Sequence, residues 1–413
     1  MSGPLTTPTS QPLSVLHVHT RLIRGGADEN TLLTVNGLDH SRFRVTLAVG
    51  GGSEASMLAQ VAQAVTVVEV PELVREVSPL RDFAALRMLR RLIRVGRYDI
   101  VHTHTAKAGI LGRFAARGVA GPVIVHTLHG STFHGTLSRA EYLLYWGLEK
   151  AAAAFTDRII SVGEDLRERY LKAGIGRPDQ YQLIRSGMEL SDFSAAANMG
   201  LQRRAAVRRT FGVPPDSPLV GMVARLEARK GYRYFLDLAE TVLQGIPEAH
   251  FVGFGAGDQH RDLQNDVERR GLRDRVHFPG FRHDIADVLA VLDVAVLTSL
   301  WEGLPRVLVQ AAACGVPAVS FAVEGAHEVV KQGVNGWVVP LRDVPRMADR
   351  VVALLSDPGL ARAMGAAGQD LVSEMWTAEN MVRQIAGTYS ELIAARDHRA
   401  LARESPHKTE GNK

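Results

Sequence analysis

Short apolar runs alternate with helix-length amphipathic segments along almost the whole chain, and that rhythm leaves few folds open. Residues 13–18, 43–49, 98–103, 123–127 and 158–162 read as strands, and 29–38, 79–95, 107–117 and 139–154 as helices between them. Such repetition builds an open parallel sheet covered by helices on both faces. A polar, basic stretch at 191–209 interrupts the pattern. Gly212-Val213-Pro214-Pro215-Asp216-Ser217-Pro218 then breaks regular structure, since proline and glycine punctuate helices and strands alike. The rhythm restarts with strands at 219–224, 250–253, 276–278, 293–298 and 318–321, and helices at 232–244, 259–270 and 304–314. The 413 residues exceed one ordinary core and suit two domains of roughly 150–200 residues each. The expected division is a tail at 1–12, a Rossmann-like domain at 13–190, a linker at 191–218, a second Rossmann-like domain at 219–376, a closing helix at 377–397 and a polar tail at 398–413. Two doubly wound α/β domains facing a central cleft result. Ligands of such sheets bind at the carboxyl ends of the strands, so functional residues are sought just after strands.

Composition removes several classes of function. Forty-eight basic against 44 acidic residues leave a net charge of +4, too little for the footprint of a nucleic-acid-binding domain. It suits an anionic small molecule or an anionic membrane surface. The single cysteine, Cys314, excludes an intramolecular disulfide and a cysteine-based zinc site, and a reducing compartment is the simple reading. Met1 to Pro12 lacks the basic start and apolar core of a secretory signal. No stretch approaches the roughly 18 apolar residues of a membrane span. A cytoplasmic protein, at most lying on the inner face of a membrane, is expected.

Several motifs follow strands. Arg24-Gly25-Gly26-Ala27 comes after the first strand and opens a helix. Glycines there let backbone approach a ligand, and free N–H groups attract an anion; a plain tight turn is the bland alternative. Arg225 and Lys230 flank the loop after the strand at 219–224. Two cations and a helix start can neutralise a diphosphate without metal, although loop cations are usually only solvated. Ser299-Leu300-Trp301-Glu302-Gly303-Leu304-Pro305 places Pro305 at a first helical position, with the N–H groups of Gly303 and Leu304 open to phosphate. Glu302 there can accept hydrogen bonds from sugar hydroxyls, or merely cap the helix. Gln310 falls eight residues on, about two turns along the helix.

His126-Thr127-Leu128-His129-Gly130 puts histidines at a strand end, where they either touch ligand or are buried. His102 and His104 alternate by two and share one face of a strand. No third ligand is evident beside them, so no metal site is assigned. Gly253-Phe254-Gly255-Ala256-Gly257-Asp258 fails the dinucleotide fingerprint, because position 258 is Asp. It reads instead as a glycine turn against which a nucleotide lies. The helix at 79–95 carries an apolar stripe of Phe83, Leu86, Leu89 and Ile93, with Arg87, Arg90, Arg91, Arg94 and Arg97 beside it. It is a solvated helix face first, and a contact for anionic lipid second.

In order and spacing these motifs resemble the retaining glycosyltransferases of family 4, which have the GT-B fold. The resemblance runs from about Leu13 to Ala395. Its most specific part includes His277-Phe278-Pro279-Gly280-Phe281, the 299–305 motif, Ala312-Ala313-Cys314-Gly315-Val316-Pro317, Glu324-Gly325-Ala326-His327-Glu328 and Asn335-Gly336-Trp337. Asp99 to Gly109 and Leu128-His129-Gly130 resemble the branch that builds cell-surface polysaccharides and glycolipids. The resemblance implies that Arg225 and Lys230 bind the donor diphosphate. It implies that Glu302 holds donor-sugar hydroxyls, that Gly303 and Leu304 donate backbone N–H groups to phosphate, and that His129 lies near the donor sugar and the reacting centre. Gly25 and Gly26 match the glycine loop over the site. Phe281 and Arg282 fall where the family frames the nucleobase, and Gly255 belongs to the glycine turn already read as a nucleotide contact. One position departs from the pattern: the second acid of the family's Glu-x7-Glu motif, which grips the ribose, is Gln310, a residue that accepts a hydrogen bond but carries no charge.

The implied reaction is transfer of a hexose-type sugar from a nucleotide sugar, a UDP-sugar by the resemblance, to a hydroxyl of a saccharide or lipid-linked acceptor, with retention and with neither metal nor other cofactor. Catalytic roles fall to His129, Glu302, Arg225 and Lys230. The family also implies closure of the two domains through the linker, and a closing helix that crosses back onto the first domain. Two alternatives stand beside this reading: a nucleotide-sugar epimerase, and a non-catalytic nucleotide- or sugar-binding subunit, which Gln310 raises.

Overall fold

The computed structural model describes residues 11–23, 25–133 and 138–404. Arg24 of the first glycine motif, residues 1–10 and residues 405–413 lie outside them. The chain folds as two compact units: Met1–Met188 with Ala378–Lys413, and Glu189–Thr377 between them.

The first unit carries seven strands: β1 (Leu13–His19), β2 (Phe43–Gly50), β3 (Thr66–Val70), β4 (Ile100–His104), β5 (Val123–Leu128), β6 (Arg158–Ser161) and β7 (Tyr181–Leu183). They form one parallel sheet in the order β3-β2-β1-β4-β5-β6-β7. The second unit carries β8 (Leu219–Val223), β9 (His250–Phe254), β10 (Val276–Gly280), β11 (Val294–Leu297), β12 (Ala318–Phe321) and β13 (Gly336–Val339). Its parallel order is β10-β9-β8-β11-β12-β13. Each sheet starts in the middle, winds outward, returns and winds the other way. The strand order therefore reverses between β1 and β4, and again between β8 and β11, and a crevice opens at the strand ends at such a reversal.

The central strands are buried on both faces, so their apolar runs are continuous. In the first sheet Val15, Leu47, Ile100 and Val125 pack on one side with the helix Gly26–Gly37 and the closing helix, which contributes Met381, Ile385 and Tyr389. Leu16, Val18, Val101 and Ile124 point to the other side, under the helices Pro79–Gly96 and Ala106–Ala116. The two-residue alternation of a strand makes this division.

Three strands escaped the sequence reading: β3, β7 and β13. All lie at sheet edges, β7 has only three residues, and β3 is mostly exposed, so none carries the long apolar run of a central strand. The stretch at 191–218 is not a free linker. It holds the helices Ser191–Ala197 and Leu201–Arg209 and belongs to the second unit. In it Arg204 and Arg208 bridge Asp293 at 2.8 and 2.9 Å, and Arg208 also donates to the Val291 carbonyl. The closing helix runs Ala378–Glu404, past the expected end at 397, and packs on the first unit. No helix among the described residues is long and apolar enough to cross a membrane.

Candidate active site

In the second unit, β8 and β11 meet at the reversal and their loops hold each other. Gly231 has φ +69°, and a Cβ there would come within 2.1 Å of the Thr298 carbonyl oxygen, so only glycine fits. The Thr298 hydroxyl donates to the Gly231 carbonyl at 3.1 Å, and the Leu300 N–H donates to the Arg229 carbonyl at 2.8 Å. This stitching brings two predicted site residues into direct contact. The Lys230 ammonium lies 2.6 Å from a Glu302 carboxylate oxygen, and the two side chains are only 13% and 11% exposed. Lys230 ends a short 3-10 turn; Glu302 sits in the loop that leads to the helix Arg306–Ala313. That helix begins two residues after the expected 304, so Pro305 is its cap and not its first residue. Gln310 is half-buried in its second turn, and Glu302 is outside the helix altogether.

The other predicted donor-site residues are held separately. Arg225 is two-thirds exposed and pairs with Glu227 at 2.9 Å. Arg229 also bonds Glu227 and lies over the Trp301 ring. Gly303 has open space where a Cβ would point, and Leu304 follows it as a half-buried bend residue. The loop is braced from behind by Gly325, at φ +75°, whose Cβ would come within 2.5 Å of the Gly303 carbonyl. Phe281 is exposed, and Arg282 forks onto Asp284 at 2.8 and 2.6 Å.

The glycine turn at 253–257 packs closely against the chain's own backbone. A Cβ on Gly255 would strike the Ala224 carbonyl at 2.0 Å, and one on Gly257 the Leu226 carbonyl at 2.3 Å. These glycines let the turn pack on the Arg225 loop, and the Gly255 N–H donates to the Gly280 carbonyl at 3.0 Å. The space their missing side chains leave is filled by the chain's own backbone.

In the first unit, β1 and β4 meet at the reversal with His17 in register with His102. His17 and His104 bond through Nδ1 and Nε2 at 2.9 Å, and His104 Nδ1 lies 3.1 Å from His129 Nε2, just past β5. His126 is turned away: its Nδ1 bonds Thr103, and it packs against Gly109 of the helix Ala106–Ala116. It is a buried structural residue, whereas half-buried His129 lies at the sheet's carboxyl end. Burial, with His19 nearby, lowers the His129 pKa to about 3, so the ring is neutral at physiological pH.

His19 is buried with no hydrogen-bond partner on either ring nitrogen among the described residues. Its Nε2 lies 3.8 Å from an Asp28 oxygen. Asp28, in the first turn of the helix that Gly26 opens, is pushed up to about 6 by burial. Gly25 adjoins it: a Cβ there would come 3.0 Å from Asp28 Oδ2. Gly25 and Gly26 therefore bring the helix start and an acidic side chain to the end of β1.

The sequence reading passed over His17, His19, Asp28 and Tyr389. A second His-x-His, His17-Val18-His19, stood in view, and pairing of β1 with β4 makes His17 the third member of a group with His102 and His104 whose ring nitrogens lie within 4.8 Å. Such a group has the composition of a metal site. Here, however, each ring nitrogen of the three already has a hydrogen-bond partner: another histidine, Tyr389 or Thr127.

Comparison with known proteins follows the same division. The family profile described as Glycosyltransferase Family 4 matches residues 24–192, and that described as Glycosyl transferases group 1 matches 203–371. The chain is 31% identical over 353 residues to an Escherichia coli UDP-Gal:alpha-D-GlcNAc-diphosphoundecaprenol alpha-1,3-galactosyltransferase, covering 84% of this chain and 89% of the relative. It is 29% identical over 316 residues to D-inositol 3-phosphate glycosyltransferase of Xylanimonas cellulosilytica, covering 74% of each. Among solved structures, Anabaena HepE in complex with UDP superposes with a TM-score of 0.76 at 23% identity, over 92% of this chain and all of that one, a likeness of fold. With both halves matched, the two sheets wound alike and a relative similar over most of its length, the chain belongs to glycosyltransferase family 4 and is a glycosyltransferase of the GT-B fold.

Proposed function

We propose that this enzyme transfers a sugar from a UDP-sugar to a hydroxyl of a saccharide or lipid-linked acceptor, with retention at the anomeric carbon and without a metal ion. The observation that carries the reading is the Lys230–Glu302 pair beside Gly303 at the β8/β11 reversal. A departing nucleoside diphosphate develops negative charge, and fixed cations in a confined site stabilise it without reorganisation. Lys230 donates one of its three N–H bonds to Glu302, leaving two for diphosphate oxygens. Arg225, exposed and paired with Glu227, swings to the same group. The Gly303 and Leu304 N–H groups precede a helix start, where an anion is favoured. Glu302 accepts hydrogen bonds from donor-sugar hydroxyls through the oxygen that Lys230 does not occupy. Phe281, Arg282 and Gly255 frame the nucleobase, and Gln310 takes one ribose hydroxyl.

His129 works at the reacting centre as a neutral imidazole, with Gly25 and Gly26 bordering the same strand ends. The donor nucleotide is suggested by the galactosyltransferase relative, named for UDP-Gal, and by the UDP complex of the structural neighbour. The diphosphoundecaprenol acceptor named for that relative makes a lipid-linked acceptor the first candidate.

Such an acceptor places the enzyme at the inner face of a membrane. The helix Pro79–Gly96 buries Ala85, Leu89 and Ile93. The sequence stripe is corrected here, because Phe83 is 60% exposed. Leu80, Phe83, Arg87, Arg91 and Arg94 share the opposite, exposed face. Apolar and basic groups on one face suit anionic lipid.

Calorimetric titration with UDP, GDP and ADP in EDTA tests the donor site. UDP should bind best, and Lys230→Ala should weaken it at least tenfold, about 1.4 kcal/mol. Equal binding of all three nucleotides, or binding that needs added metal, contradicts the proposal.

A further inference from the structure

We infer that Tyr389, on the closing helix, is a positioning residue that sets which ring nitrogen of His129 carries its proton, acting through His17 and His104. This rests on the proposal that His129 works at the reacting centre. Six polar groups form one unbranched hydrogen-bonded chain in the first unit. The Thr127 hydroxyl lies 2.7 Å from His102 Nε2, and His102 Nδ1 lies 2.5 Å from the Tyr389 hydroxyl. The same hydroxyl lies 3.3 Å from His17 Nε2. His17 Nδ1 lies 2.9 Å from His104 Nε2, and His104 Nδ1 lies 3.1 Å from His129 Nε2. His129 Nδ1 ends the chain, with no hydrogen bond to the protein among the described residues.

A neutral imidazole donates through one nitrogen and accepts through the other. Burial holds His17, His102 and His104 neutral, lowering His17 to about 3 and the other two well below the ordinary histidine value. With one proton per ring and one on Tyr389, only two arrangements satisfy every link. If Tyr389 donates to His102, the Tyr389 oxygen accepts from His17 Nε2–H. His104 then donates to His17, and His129 donates from Nε2 to His104, so His129 Nδ1 is an acceptor. If Tyr389 donates to His17, every bond reverses and His129 Nδ1 carries the proton. The single proton of Tyr389 thus couples the buried helix to the face that His129 shows to substrate. Any mixed arrangement leaves a buried donor or acceptor unpaired, which costs its full desolvation.

Tyr389→Phe removes the hydroxyl and keeps the ring that packs against Phe43. Turnover and 15N spectra of histidine-labelled enzyme are measured on wild type, Tyr389→Phe, His129→Ala, Thr127→Val and Thr127→Ser. The inference expects His17, His102, His104 and His129 to share one tautomer in the wild type, all Nε2–H or all Nδ1–H, and His102 to lose that agreement with the other three in Tyr389→Phe. It expects kcat to fall about tenfold in Tyr389→Phe with donor KM unchanged, the effect of one buried hydrogen bond. Thr127→Val should act in the same direction, and Thr127→Ser should restore wild-type turnover. Loss of activity in His129→Ala together with wild-type turnover and an unchanged tautomer in Tyr389→Phe overturns the relay alone. Full activity in His129→Ala overturns the underlying assignment of His129. Stoichiometric zinc in the purified protein, lost in His17→Ala, also overturns the relay.

Discussion

Lys230 and Glu302 are 72 positions apart and meet at 2.6 Å. Two roles that the family resemblance assigns separately, to diphosphate and to sugar, thus share one ion pair. Truncating one partner leaves a largely buried charge alone, so both changes should cost more than a surface pair, whose usual worth is under about 1 kcal/mol. Lys230→Ala is expected to abolish turnover and nucleotide binding together. Glu302→Gln, which keeps the shape, should spare nucleotide affinity within about threefold and lower kcat at least about tenfold, as expected of a residue proposed to meet the sugar and not the diphosphate. Steady-state kinetics with calorimetry on both variants checks this split.

The glycines of the second unit separate into two kinds. Gly255→Ala and Gly231→Ala drive a methyl group into backbone carbonyls and should each lower stability by about 2 kcal/mol or more. Gly303→Ala has open space and should leave the melting temperature within about one degree. If phosphate lies against the Gly303 backbone, the same methyl weakens UDP binding about tenfold. Thermal melts and titrations on the three variants read both effects.

Gln310 is the position where the chain leaves the family pattern, and the structure leaves it half-buried near the start of its helix. Restoring the acid should strengthen nucleotide binding. A charged acceptor exceeds a neutral one by about 1 kcal/mol, so Gln310→Glu should gain about fivefold in UDP affinity. An unchanged affinity shows that the ribose is held elsewhere.

The histidines of the first unit make its stability depend on pH. Burial depresses the folded-state pKa of His17 and His129 to about 3 and of His19 to about 4. The unfolded chain takes up protons below about 6.5 while the folded chain does not, so stability is full above that pH and falls as pH drops toward 3. Each histidine that stays neutral contributes about 1.4 kcal/mol per pH unit in that window. Asp28, raised to about 6, opposes this, because its folded carboxyl binds a proton that the unfolded one has released. The histidines outnumber it, so the urea midpoint should fall steeply from pH 7 to pH 5.

Much of this architecture was legible in the sequence, for physical reasons. Central strands such as β1 and β4 are buried on both faces and announce themselves as apolar runs. Edge strand β3, Thr66–Val70, does not, since mostly exposed residues need no apolar pattern. Site residues on loops after strands, such as Lys230 and Glu302, could be named from motif order, but not their mutual contact, which depends on the pairing of β8 with β11. The glycines at 255 and 257 could be seen as a motif, but not their close approach to the Ala224 and Leu226 carbonyls, which is a tertiary fact. The contacts of Arg208 with Asp293 and the Val291 carbonyl were equally hidden, since 85 and 83 positions separate the partners. Tyr389 was unreadable as a partner of His17 and His102, since 372 and 287 positions separate them.

Acceptor-dependent release of UDP from a UDP-sugar, in the presence of EDTA, tests the central claim most directly. Wild-type enzyme is predicted to release UDP only when a saccharide or lipid-linked acceptor is present, to form the product with the anomeric configuration of the donor, and to lose this activity in Lys230→Ala. Release that requires added metal, an inverted product, or full activity in Lys230→Ala would contradict the account.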